Sequence, residues 1–177
     1  MKIKQGSSPN SSRRRKDIKY IVIHWTGGAF EPSVSWLCNS RSEASAHYVI
    51  SKEGEIIQLL NHCREAWHAG RSKYEDDFNL NQTSIGIELE GPPSRVDGMD
   101  KWPVKQMHAL IDLCNKIIED EPTIEIITDH ATIRQNYIDY LEEKGISLRV
   151  YKKIDVTQAE ENSDIFPWTE ICEQINL

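Results

Sequence analysis

Histidine closes two of the most apolar stretches in this chain. His24 ends the run Tyr20 to Ile23 in YIVIHWTGG, and His130 follows TIEIIT and Asp129. An imidazole at the carboxyl end of a buried strand stands where open α/β sheets usually carry their sites. Two imidazoles and one carboxylate can hold Zn²⁺ and leave its fourth tetrahedral position open, which separates a catalytic zinc site from a closed structural one. A late acid, Asp155 in LRVYKKIDV, would complete such a set. An ion held there would serve amide hydrolysis by acidifying water and polarising a carbonyl oxygen. The chain has six histidines among 28 acidic residues, and spacing alone leaves His47, His62 and His68 standing beside the first pair. Two further carboxylates, Glu88 and Glu90, share one face of a strand expected over Ser84 to Glu90, with Ile85, Ile87 and Leu89 on the other. Such a pair needs partners or solvent.

The elements that must position these residues are legible in outline. The β-branched run Tyr20 to Ile23 has no polar face, so it reads as a strand covered on both sides; Gly27 and Gly28 then let the chain turn. Ser33 to Cys38 suits a short helix. Ala46 to Ser51 and Glu55 to Leu60, joined by Lys52-Glu53-Gly54, read as a hairpin. Alternation sets His47 with Val49 on one of its faces, turned either to the core or to a cleft. After Pro103, apolar residues from Val104 to Ile118 recur at helical spacing, with His108 on the surface. Thr123 to Thr128 is another strand, Ala131 to Lys144 a helix stopped by Gly145, and Pro167 opens a last amphipathic helix. The expected architecture is a single α/β domain, a central mixed β-sheet flanked by helices. Residues 1–17 form an extended arm whose basic run, Arg13 to Lys16, is solvated, and the domain proper covers 18–177.

Composition narrows the function. The 177 residues suit one core, and a net charge of -7 argues against a nucleic-acid partner. No apolar run approaches the roughly 20 residues a membrane span needs. The four cysteines, scattered without a CxxC pair, write no zinc finger and suit a reducing compartment, Cys114 falling on a buried helix face. The first residues lack the apolar core of a Sec-type signal peptide. The expected setting is the cytoplasm, or release by lysis or a dedicated secretion machine.

Four ordered strings, YIVIHWTGG, SAHYVISKEGEIIQL, AWHAG and SIGIELEG, followed by a helix and a strand-histidine, resemble the zinc-dependent N-acetylmuramoyl-L-alanine amidases. That family includes phage amidase lysozymes, cytoplasmic anhydromuropeptide amidases and peptidoglycan recognition proteins. The likeness runs from about Ser8 to Trp168. It implies Zn²⁺ held by His24, His130 and Asp155, the acid of a KxD motif. It implies Glu88 as the base acting on water and Lys153 as the cation that steadies the oxyanion. It also implies a substrate groove lined by His47, Trp67, His68, Trp25 and Thr26, and peptidoglycan or a muropeptide as substrate. Cleavage would fall between N-acetylmuramic acid and L-alanine.

The chain departs from the pattern after His130. Asp155 lies 25 residues beyond it, a longer gap than in relatives, and Val156-Thr157 replaces Pro-Gly. An inserted segment at about 131–150 would reshape one groove wall, and Asp139, Asp164 and Asp129 stand as substitutes for Asp155. A rival reading is a peptidoglycan-binding module without catalysis. Within the enzymatic reading, a recycling enzyme, an endolysin and a secreted antibacterial effector all fit, the last with an immunity protein as partner.

Overall fold

The computed structural model describes residues 1–91, 94–96, 99–146 and 166–175. In chain order its strands are β1 (Ile3–Gln5), β2 (Ser11–Arg13), β3 (Tyr20–Trp25), β4 (Tyr48–Ile50), β5 (Ile56–Gln58), β6 (Arg64–Ala66), β7 (Lys73–Tyr74), β8 (Asp77–Phe78), β9 (Ser84–Leu89), β10 (Ser94–Val96), β11 (Met99–Lys101) and β12 (Ile126–Asp129). Its helices are α1 (Phe30–Leu37), α2 (Val104–Asp120), α3 (His130–Glu143) and α4 (Trp168–Cys172).

Six strands make one sheet in the order β1-β5-β4-β9-β3-β12. β3 lies between β9 and β12, parallel to both, β4 is parallel to β9, and the expected hairpin joins β4 to β5 antiparallel. The sheet is therefore mixed, as the sequence implied. β3 is buried from Tyr20 to His24 because helices cover both faces. On one face Ile21, Ile23, Ile50, Ile85, Ile87 and Leu89 pack with Leu110, Leu113, Cys114 and Ile117 of α2 and Ile171 of α4. On the other, Tyr20 and Val22 meet Leu80 and Ile133 of α3, while Val49 meets Phe30 and Leu37 of α1. Strand alternation puts His24, Gly86 and Glu88 on this second face, where α1 and α3 cover different strands.

The first 17 residues are extended but built in. β1 adds to the sheet parallel to β5, and β2 pairs antiparallel with β6. Ser8 donates to the Leu37 carbonyl, and the Asn10 amide reaches the carbonyls of Asn39 and Ala44. The solvated reading of the basic run fails at Arg14. Its guanidinium donates to the carbonyls of His62 (2.6 Å), Gln82 (2.6 Å), Ser84 (2.8 Å) and Arg64 (3.0 Å). Loop carbonyls turned inward need donors, and one fork of five N–H groups supplies them. Among the described residues, no helix is long and apolar enough to cross a membrane.

Candidate active site

β3 and β9 run in a register that sets His24 directly beside Glu88. Glu88 reaches a cleft, yet its Oε2 is sealed from solvent and has no hydrogen-bond partner among the described residues. Burial alone pushes its carboxyl up to about 7. Glu90, two residues on, is the opposite case. Its Oε1 accepts from the Phe30 amide at 3.1 Å and its Oε2 from the Lys52 amide at 2.8 Å. An acid at the first helical amide suits the positive end of α1, so Glu90 is spent on structure. The two carboxylates expected on one face have parted roles.

His130 is the first residue of α3 rather than the last of a strand. Asp129 caps that helix, its Oδ1 accepting from the Thr132 amide at 2.8 Å and its Oδ2 from the Thr132 hydroxyl at 3.2 Å. The His24 and His130 ring centroids are 5.0 Å apart. Two imidazoles bound to one tetrahedral zinc at ~2.0–2.1 Å place their centroids about 5 Å apart. His130 Nδ1 is buried without a partner, and His24 Nδ1 makes no hydrogen bond among the described residues. Burial holds both imidazoles below their ordinary range, with His130 adding to the effect on His24 and Arg134 to that on His130. Neutral imidazoles with free lone pairs are the state a metal ion requires, so the donors present fit Zn²⁺.

The remaining acids divide. Asp129 is occupied by its cap. Asp139 is exposed, bonded to Gln135, and nine positions along α3, about 13 Å from His130 at the helical rise. Lys153, Asp155 and Asp164 lie outside the described residues. Among the described residues, no group of three His, Cys, Asp or Glu side chains is placed to hold an ion.

Three residues expected in the groove do not line the cleft that Glu88 reaches. His47 is fully buried; its Nδ1 accepts from the Gly86 amide and its Nε2 donates to the Arg64 carbonyl, both at 3.0 Å. Burial, reinforced by Arg14, takes it to about 3. Trp67 turns its indole N–H to the Ser12 hydroxyl at 2.9 Å. His68 stands behind His24, its Nδ1 2.8 Å from His24 Nε2. His62 belongs with His47, bonded to the Tyr48 hydroxyl and Glu121. Trp25 and Thr26 do line the cleft, about 280 Å³, together with Glu88 and α1 residues Pro32, Ser33 and Trp36. Trp25 seats its indole on Gly91, where a Cβ would come within 2.3 Å of the ring. Trp36, 55% exposed, was missed; its signal was a large aromatic next to Leu37 on a short helix, with only one of the two buried.

A carboxyl near neutrality, an imidazole beside it in register, a second imidazole one strand further over and an aromatic-walled cleft define an α/β domain equipped for acid–base and metal-ligand chemistry. The chain belongs to the N-acetylmuramoyl-L-alanine amidase family, whose model matches residues 14–141. It is 31% identical over 112 residues, 63% of this chain, to N-acetylmuramoyl-L-alanine amidase A of Achromobacter lyticus. It spans 57% of that protein and 40% of Escherichia coli amidase AmiD, about half the length of these relatives. Among solved structures, AmiD from E. coli, in complex with anhydro-N-acetylmuramic acid-L-Ala-D-gamma-Glu-L-Lys, superimposes with a TM-score of 0.68 at 26% identity, covering 97% of this chain and 60% of that one. A selenomethionine AmpD derivative shares the fold at a TM-score of 0.73 and 22% identity, covering 98% and 94%.

Proposed function

We propose that this protein hydrolyses the amide between the lactyl group of N-acetylmuramic acid and L-alanine, in peptidoglycan or in muropeptides released from it. The observation that carries the reading is Glu88: a buried carboxylate oxygen without a partner among the described residues, its carboxyl raised to about 7, in register with His24 and open to an aromatic cleft. A carboxylate oxygen sealed from solvent with no partner among the described residues is costly and adds nothing to mere recognition. That weighs against a binding module.

His24 and His130 would hold Zn²⁺, with Asp155 as the third ligand. The ion, when bound, would supply Lewis acidity toward the scissile carbonyl and toward water. Glu88 takes the proton of the attacking water and returns it to the departing L-alanine amine. Lys153 would steady the developing oxyanion. Trp25, Thr26 and Trp36 offer one wall to substrate, flat aromatic faces suiting the C–H faces of a sugar or a peptide stem. The substrate of AmiD fits the same chemistry.

Mass spectrometry of a defined muropeptide tests this. The expected products are the free stem peptide, beginning at L-alanine, and the intact N-acetylmuramic acid moiety, with cleavage abolished by a chelator and restored by zinc. Cleavage at another bond, or none with zinc supplied, would refute it.

A further inference from the structure

The contacts behind His24 bear on how a metal would be held, an inference that rests on the zinc reading above. Ser84 Oγ lies 2.5 Å from the Leu80 carbonyl, so its one proton points there. The same oxygen is 3.1 Å from His68 Nε2 and can only accept from it. His68 therefore carries its proton on Nε2 and presents a lone pair at Nδ1. Facing that lone pair at 2.8 Å is His24 Nε2, which must be the donor. The chain of bonds from Leu80 through Ser84 and His68 leaves one tautomer for His24: proton on Nε2, lone pair on Nδ1.

His68 is seated for this position. Its ring lies against Gly86, where an added Cβ would come within 2.5 Å of Cγ and 2.7 Å of Nδ1, so only glycine leaves room. Asn81 Oδ1 accepts from the amides of His68 (3.0 Å) and Ala69 (2.7 Å), clamping the segment that carries the ring. A ligating histidine commonly gives its other N–H to a fixed acceptor, which sets ring orientation and basicity. We propose that His68, backed by Ser84, is a positioning residue for metal binding: it fixes His24 with its Nδ1 lone pair free for the ion.

The test uses the whole protein and zinc alone, titrated against a chromophoric chelator. His68→Phe keeps the ring volume and removes the acceptor; zinc affinity should fall roughly 10–100-fold. His68→Asn restores an acceptor near the Nδ1 position and should recover most of that loss. Ser84→Ala, which frees the His68 tautomer, should fall between wild type and His68→Phe. Long-range nitrogen–proton NMR of the metal-free wild type reads the tautomer directly, whatever the variants do to folding: Nε2–H on His24 is expected. Nδ1–H on His24 would overturn the proposal, as would wild-type affinity in His68→Phe or equally weak binding by His68→Asn and His68→Phe. Failure of the wild type itself to bind zinc would instead sink the zinc reading.

Discussion

Two histidine-rich pockets sit on this fold, and they differ in how completely their polar atoms are paired. Around Arg14, the guanidinium meets five carbonyls, His47 has the Gly86 amide on one nitrogen and the Arg64 carbonyl on the other, and His62 is held by Tyr48 and Glu121. At the ends of β12 and β9, His130 Nδ1 and Glu88 Oε2 are buried with no partner among the described residues. A closed set of bonds belongs to architecture; orphaned atoms also occur at Thr83, Trp102 and Gln106, and it is the pairing of such atoms with a cleft and a second imidazole that singles out Glu88 and His130.

The contrast can be broken at either end. The largest effect expected is Glu88→Gln: turnover on a defined muropeptide should fall about 10³-fold, with zinc still bound in one equivalent. A variant keeping wild-type turnover would remove Glu88 from the chemistry. Next is Arg14→Leu, which strands several inward carbonyls. It should lose on the order of 3 kcal/mol, or roughly 10 °C in Tm, while the zinc affinity of the folded protein stays within about twofold. An affinity loss exceeding the stability loss would show that the two pockets are coupled.

The pH dependence of stability separates them further. Glu88 rises from 4.5 to about 7 on folding, so in metal-free protein its favourable contribution is full below about pH 4.5 and is lost as pH climbs through 7. His24, His47, His68 and His130 are lowered; their contribution is present above about 6.5 and is lost as pH falls. Comparing metal-free wild type with Glu88→Gln isolates the carboxylate. The variant should gain relative stability from pH 4.5 to 7, levelling near 2 kcal/mol once screening at the cleft mouth is included. A flat difference in denaturant midpoints would contradict the placement of Glu88. The smallest effect is at the rim: Trp36→Ala should raise KM roughly three- to tenfold with kcat little changed.

Much of this was readable in the sequence, for reasons that also explain the gaps. The run YIVIH could only be a doubly covered strand, and the α2 stripe from Met107 to Ile117 could only face a core, so the positions of His24 and the sheet followed. The resemblance singled out Glu88 and His130. The N-terminal segment carried no period, because β1 and β2 are three residues each and owe their form to distant partners. His47 was ambiguous because both faces of this sheet are buried, so alternation gives a face without saying what covers it. His68 left one usable trace: a glycine, Gly86, in an otherwise apolar strand, marking a close approach.

Zinc titration of four proteins by calorimetry tests the central claim, that His24 and His130 converge on one ion beside Glu88. Wild type and Glu88→Gln should each bind one equivalent, and His24→Ala and His130→Ala should each lose high-affinity binding while remaining folded. Wild-type affinity in either histidine variant would contradict the account.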